Sequence, residues 1–147
     1  LIRNKTKYLK VVTDLNAKFP VYANAGELVQ VWINLIKNSA EAIGDHSHGD
    51  EWDIRVSSRS TGRGSEVVVA DSGPGISPTL LSTIFKPSVT TKKAGLDFGL
   101  GLGLTIVYRL VFENGGDISV TSREGLTEFR IFFDSEKSDI DLGESNV

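Results

Sequence analysis

Between Glu27 and Ile43 the sequence ELVQVWINLIKNSAEAI repeats apolar residues at the period of an α-helix. Leu28, Trp32, Leu35, Ile36, Ser39 and Ile43 fall on one face. A helix with a single apolar stripe is marginal alone in water and has to be laid against another layer. The rest of the chain must therefore supply that layer, and its alternating and β-branched runs do so. Tyr8–Leu15 reads as a first strand and Val21–Ala23 as a short second one. Trp52, Ile54, Val56 and Ser58 alternate, Thr61–Ser65 (TGRGS) is a hairpin turn, and Glu66–Ala70 is a return strand apolar enough to be central. Ser77 and Pro78 open a short helix to about Phe85, as N-cap and first helical residue. Gly103–Glu113 is helical again, with Leu104, Val107, Leu110 and Val111 on one face and a stop at Asn114-Gly115-Gly116. Ile118 and Val120, then Phe129, Ile131 and Phe133, form two final strands. Hairpins outnumber what a βαβ repeat would give. The order predicts an α+β fold, a two-layer sandwich of one mixed sheet with helices on one face.

Beside the apolar stripe of the first helix runs a polar one, Gln30, Asn34, Lys37, Asn38 and Glu41. Asparagine inside a helix costs about 0.5 kcal/mol against alanine. Two of them one turn apart present two amides side by side. For this helix alone a solvated polar stripe is the favoured reading, by roughly two to one over a site.

Three groups have chemistry to offer. Gly99-Leu-Gly101-Leu-Gly103-Leu opens a helix, where bare N–H groups and the positive end of the helix dipole favour an anion and glycine allows close approach. It is neither a phosphate-binding loop ending in Gly-Lys-Ser/Thr nor a dinucleotide fingerprint, since Leu104 stands where the third glycine belongs. Taken alone it reads equally as a hinge. Asp71, at a strand end before Gly73 and Gly75, can accept from an exocyclic amine, although alone it reads as an ordinary turn. The asparagine pair offers amide oxygens to a hard cation such as Mg²⁺. Lys86–Leu102 has no period and three lysines, and reads as a lid. His46 and His48 sit in a polar loop and read as surface residues.

Composition removes other classes. Without cysteine there is neither a disulfide nor a thiolate metal site. The net charge of −3 is concentrated in the tail, where Asp134, Glu136, Asp139, Asp141 and Glu144 face only Lys137. The nearly neutral body indicates no nucleic-acid surface. No apolar run approaches the roughly 18 residues of a membrane span, so this domain is expected to make no membrane contact. The expected location is cytoplasmic, with the parent free to carry a membrane anchor elsewhere. With no Met and a leucine start, the chain is expected to be a piece of a longer protein.

The order of these motifs resembles the catalytic and ATP-binding domain of sensor histidine kinases, in the superfamily shared with gyrase and heat-shock-90 ATPases. Asn34-Leu-Ile-Lys-Asn38-Ser-Ala is similar to the N box, and Asp71-Ser-Gly73-Pro-Gly75-Ile to the first glycine box. Ile84-Phe85-Lys-Pro87 with Thr90-Thr91-Lys92 is similar to the F box. Gly99–Leu104 resembles the second glycine box and Gly125-Leu-Thr127-Glu-Phe129 the closing segment. The resemblance covers about Tyr8–Phe133. It implies a mostly antiparallel five-stranded sheet on three helices, with residues 1–134 as the domain and 135–147 as an acidic, disordered tail.

The roles it implies transfer by position. Asn38 ligates Mg²⁺, with Asn34 and Lys37 close to the phosphates of ATP. Asp71 holds the adenine amino group, with Gly73, Gly75, Ile76 and Thr127 around the ring. Gly99, Gly101, Leu102, Gly103 and Leu104 offer backbone N–H groups to the triphosphate, and Lys92 reaches it from the lid. The implied activity is transfer of the γ-phosphate to a histidine on a dimerisation domain of the same or a partner chain, with a response regulator downstream. Nothing in this chain resembles that acceptor motif. Gyrase-type hydrolases carry a general-base Glu four residues before the metal Asn; that position is Asn34, which cannot take a proton from water. The chain departs from the family at Ser88-Val89, where two aromatics are common, at Leu100, where Thr or Ser is common, and at Glu41, where Lys or His is common. These departures bear on lid docking and affinity, and leave an ATP-hydrolysing switch and a non-catalytic scaffold as the rival readings.

Overall fold

The computed structural model describes residues 8–44, 51–86 and 100–135. Its elements are β1 (Val11–Leu15), α1 (Ala25–Ile43), β2 (Ile54–Ser60), β3 (Gly64–Asp71), α2 (Pro78–Leu81), α3 (Leu100–Glu113), β4 (Gly116–Arg123) and β5 (Leu126–Asp134). The strands form one sheet in the order β1-β2-β3-β5-β4. β1 pairs parallel to β2 and every other pair is antiparallel. This is the predicted α+β sandwich, with β3 central as its apolar run requires.

The core lies between the sheet and the two long helices. α1 contributes Val31, Leu35 and Ile43, α3 contributes Leu104, Val107, Leu110 and Val111, and the sheet contributes Ile54, Val69, Phe129, Ile131 and Phe133. Asn24 caps α1 by accepting from the Glu27 N–H at 3.1 Å. The two helix ends are tied by Asn114, whose amide donates to Glu27 Oε2 at 2.7 Å and accepts from the Asn24 N–H at 2.8 Å.

Several expectations change. The buried stripe of α1 is centred on Val31, Leu35, Ser39 and Ile43, while Leu28 and Trp32 flank it, half-buried. Val31 falls outside the expected stripe because the buried face is turned toward Val31 and Asn38 by less than one residue step. Val21–Ala23 is not a strand. Its neighbours Ala17 and Lys18 instead give their N–H groups to the Ser58 and Ser60 hydroxyls, which satisfies the backbone without a ladder. α2 is a single turn capped by Ser77, and turns rather than helix continue to Phe85. α3 starts at Leu100, three residues before the expected Gly103. β5 is followed by Ser135, which donates twice to the Arg63 carbonyl, so the expected tail boundary falls on a bonded residue. Residues 136–147, and His46 and His48, lie outside the described residues. Among the described residues no helix is long and apolar enough to cross a membrane.

Candidate functional site

The side chains of alternate strand residues share a face, so the sheet register decides which meet. Asp71 is opposite Thr127 on β5, and Thr127 is opposite Ser122 on β4. The three form one row across β3, β5 and β4 on the face that also carries the core residues Val69, Phe129 and Ile131. Above the row stands α1, presenting Asn38, Ser39 and Ala42. Between them a slot of about 120 Å³ is lined by Asp71 and Thr127 of the row and by these three α1 residues, with Pro74, Gly75, Ile76, Leu80 and Phe129. Sites for whole drug-sized ligands run to about 300–1,000 Å³. This slot is sized for one flat ring, and the remainder of a nucleotide would lie outside it.

Asp71 is 2% exposed. Burial pushes its carboxyl above the usual carboxylate range, against the pull of the Gly73 N–H and then the Ser39 hydroxyl. The Gly73 N–H donates to Oδ1 at 3.0 Å. That tight turn leaves no room for a side chain, since a Cβ on Gly73 would lie 2.8 Å from the same oxygen. The loop then closes onto the β4–β5 hairpin: the Ile76 N–H donates to Ser122 Oγ at 2.8 Å, and Ser122 Oγ lies 2.8 Å from Thr127 Oγ1.

Gly75 has φ +87°, and a Cβ there would come within 2.5 Å of the Arg123 carbonyl. Gly75→Ala is therefore expected to destabilise the protein by about 2 kcal/mol, from left-handed strain plus displacement of backbone. Urea unfolding checks this, and an unchanged midpoint would mean that the loop does not sit against the hairpin.

Asn38 is the second unusual group. It is 6% exposed, and its Nδ2 has no hydrogen-bond partner among the described residues. A buried amide without a partner costs about 1–3 kcal/mol. The solvated-stripe reading therefore fails at this residue. Gly103, near the start of α3, faces the amide: a Cβ there would lie at ordinary contact distance, 3.6 Å, from Asn38 Nδ2 and Oδ1. The first turn of α3 carries backbone N–H groups that no helical carbonyl satisfies. An amide oxygen beside such a turn suits Mg²⁺ on a triphosphate, because that ion takes few protein ligands. Among the described residues no cluster of three or more His, Asp or Glu could hold a metal by itself.

The other predicted residues divide. Asn38, Asp71, Gly75, Ile76 and Thr127 line the slot, and Gly73 shapes it. Asn34 lies one turn back on α1, accepting from Gln30 Nε2 at 3.1 Å, and Lys37 is exposed, 3.9 Å from Glu41. Neither lines the slot. Leu104 is fully buried in the core and is the fifth residue of α3, so its side chain is structural and its N–H lies within the helical ladder, which corrects its expected place among the phosphate donors. Of the expected lid over Lys86–Leu102, residues 87–99, with Lys92 and Gly99, lie outside the described residues, while Leu100, Gly101 and Leu102 form the first turn of α3 instead of irregular chain. Sequence reasoning missed Ser39, Ala42, Leu80 and Ser122. Ser39 and Ala42 were readable as the small residues adjoining Asn38; Ser122 carried no local signal.

A larger hollow of about 370 Å³ lies on the opposite face of the sheet. Its charges answer one another: Glu66 meets Arg59 at 2.8 Å and Arg130 at 3.4 Å, and Arg130 meets Glu128 at 3.2 Å. It presents no buried group lacking a partner and is not the site.

A sequence profile of the histidine kinase-, DNA gyrase B- and HSP90-like ATPases matches residues 23–137. The sensory histidine kinase/phosphatase NtrB of Rhizobium meliloti (strain 1021) is 40% identical over 129 residues, covering 80% of this chain and 33% of that protein. The sensor histidine kinase ZraS of Escherichia coli (strain K12) is 40% identical over 105 residues, covering 71% of this chain and 21% of that protein. The chain thus spans about a third of the length of the first of these curated relatives, or less. Among solved structures, the nucleotide-free catalytic domain of histidine kinase ThkA superposes with a TM-score of 0.66 at 29% identity, over 85% of this chain and 80% of that one. Full-length ShkA in complex with AMPPNP superposes with a TM-score of 0.66 at 26% identity, over 85% of this chain and 26% of that one.

Proposed function

Because the chain belongs to the family of histidine kinase-, DNA gyrase B- and HSP90-like ATPases, we propose that it is the ATP-binding, phosphate-transferring domain of a sensor histidine kinase in a two-component system. The observation that carries the reading is a buried carboxyl lining a base-sized slot together with a buried amide whose Nδ2 has no partner among the described residues. Asp71 accepts from the exocyclic amine of adenine, while Gly73, Gly75, Ile76 and Thr127 fix the ring. Asn38 offers its amide oxygen to Mg²⁺, and the backbone of Gly101, Leu102 and Gly103 receives the phosphates at the positive end of α3. Asn34 and Lys37 flank the phosphates from α1, and Lys92 and Gly99, outside the described residues, are assigned to the phosphates by their place in the motif order alone. Mg²⁺, when bound, neutralises charge on the phosphate oxygens.

In the reaction, the bond from the γ-phosphorus to the leaving ADP oxygen breaks as a bond to an imidazole nitrogen forms, and the imidazole proton passes to solvent. The work of the protein is positioning and charge stabilisation, which these residues supply. The acceptor histidine belongs to a dimerisation domain of the same or a partner chain, and a response regulator takes the phosphoryl group next. Asn34 favours transfer over hydrolysis, because an amide cannot serve as the base that a water nucleophile needs.

The test mixes this chain with the dimerisation domain, Mg²⁺ and γ-labelled ATP. Acid-labile, base-stable phosphohistidine is expected, with little turnover by the chain alone. Steady hydrolysis by the chain alone without phosphohistidine would instead favour the gyrase-type switch, and absence of ATP binding the scaffold.

A further inference from the structure

Among the described residues none from α3 lines the base slot, yet the first turn of α3 is the only helix start beside Asn38. The alignment of α3 with α1 therefore decides where those N–H groups stand, and it is fixed at the far end of both helices. There Asn114, just past α3, commits its whole side-chain amide. Its Oδ1 accepts from the Asn24 N–H at 2.8 Å. Its Nδ2 donates to Glu27 Oε2 at 2.7 Å and to the Leu110 carbonyl at 2.8 Å. A backbone N–H can only donate and a backbone carbonyl can only accept, so the amide has one orientation. The Glu27 N–H donates in turn to Asn24 Oδ1 at 3.1 Å, which makes the start of α1 and the end of α3 one bonded unit.

At the other end, a Cβ on Gly103 would lie 3.6 Å from the Asn38 amide. Start meets end at both places, so the two helices run antiparallel. Glu27 to Asn38 and Gly103 to Asn114 are each eleven residues apart, which is about 16 Å along a helix axis. The two contacts are thus the matched ends of a pair of equal rods. Between them lie Val31 and Leu35 of α1 and Val107, Leu110 and Val111 of α3, all aliphatic. Aliphatic contact has no preferred direction, and packed helices can shift against one another by about 1–2 Å. The two bonds that cross from Asn114 to α1 oppose such a shift, and a stiff helix carries their register to the far end.

We propose that Asn114 is a positioning residue for the phosphates: by bonding Asn24 and Glu27 it sets α3 in register against α1, and so sets the N–H groups of Gly101–Gly103 against Asn38. This rests on the nucleotide-binding reading above and adds to it a residue that never touches the ligand. Its signature is asymmetric. The slot is built without α3, so recognition of the base is blind to Asn114, while recognition of the phosphates is not.

The experiment measures Mg·ATP by calorimetry and adenosine by NMR titration, which reads millimolar affinities. The wild-type chain is compared with Asn114→Ala, Glu27→Ala and Glu27→Gln. Asn114→Ala should weaken Mg·ATP at least about fivefold, the scale of one hydrogen bond, and leave adenosine unchanged. Glu27→Ala removes one crossing bond, should move the same ratio in the same direction, and serves if Asn114→Ala does not fold. Glu27→Gln keeps an oxygen for the Asn114 Nδ2 and should hold the wild-type ratio. In the double variant of Asn114→Ala with Glu27→Ala the losses should not add, because both break one contact. Equal weakening of both ligands, or no change in either, would overturn the proposal and leave Asn114 a cap of α3. A wild type that binds neither ligand would overturn the nucleotide-binding reading itself, a separable outcome.

Discussion

Asp71→Asn is expected to raise the unfolding temperature of the nucleotide-free protein and to remove most of its affinity for ATP. The two effects have one cause. The carboxyl is nearly inaccessible, and desolvation is the largest influence on it, ahead of the Gly73 N–H and Ser39 hydroxyl that stabilise its charge. The sign follows from proton counting. A folded-state value above the unfolded 3.8 means that the native state holds the proton more tightly. Stability from this group is fully present below pH 3.8, declines as pH rises through the folded value, and above it remains a constant penalty for a buried charge. Asparagine removes that penalty, and its oxygen can still accept from Gly73. A gain on the order of 1 kcal/mol is expected at pH 7–8. The same change sets an amide N–H₂ or a singly engaged oxygen against the adenine amine where a carboxylate stood, costing about 1.5–3 kcal/mol of binding, or roughly 10- to 150-fold. Thermal unfolding and calorimetry at pH 8 read both. A second consequence is that wild-type affinity should fall as pH drops through the raised value of Asp71, while that of Asp71→Asn stays level. A variant that is less stable and binds ATP unchanged would sink the assignment of Asp71 as the adenine acceptor.

Much of this site was legible in the sequence because its residues break local rules. Asparagines inside a helix, and an aspartate with two glycines at the end of an apolar strand, are choices that local structure does not reward. Asn38 and Asp71 were found that way, and the register places both at one slot. Asn34 and Lys37 carry the same local signal, but Asn34 lies a turn of helix before Asn38 and Lys37 is on the exposed side of α1; rotation about a helix axis cannot be read from spacing without knowing the buried face. The expected face shares Leu35, Ser39 and Ile43 with the buried one but takes Leu28 and Trp32 where Val31 and Asn38 are buried, a rotation of less than one residue step. Leu104 was included for its place in a glycine run; its side chain obeys the helical period instead and is core. Ser122 broke no rule. A serine on an alternating strand is unremarkable until the register sets it beside Thr127, and that register comes from tertiary pairing.

Asn38→Ala is expected to abolish the Mg²⁺ dependence of ATP binding while leaving the fold intact or slightly more stable. In the free protein the Asn38 amide contributes nothing favourable that the structure displays: it is buried, its Nδ2 has no partner among the described residues, and it occupies a helix interior. Alanine removes an unsatisfied donor worth about 1–3 kcal/mol and improves helix propensity by about 0.5 kcal/mol. A small hollow beside Gly103 offsets part of this. Against ATP the balance reverses if, as proposed, the amide oxygen is a ligand of Mg²⁺. Affinity with Mg²⁺ present is expected to fall roughly 100-fold, about 2.7 kcal/mol, to the level that both proteins show in excess chelator. Asn38→Asp keeps an oxygen and should retain Mg²⁺ dependence, but it buries a second carboxylate close to Asp71 and should unfold at lower temperature. Calorimetry with and without chelator, beside thermal unfolding, separates these outcomes. Loss of affinity that is equal in both conditions would show Asn38 to be a wall of the slot and not a metal ligand. On the proposed reading Asp71 and Asn38 thus share a thermodynamic signature: each is expected to destabilise the empty domain and to contribute favourably only in the Mg·ATP complex.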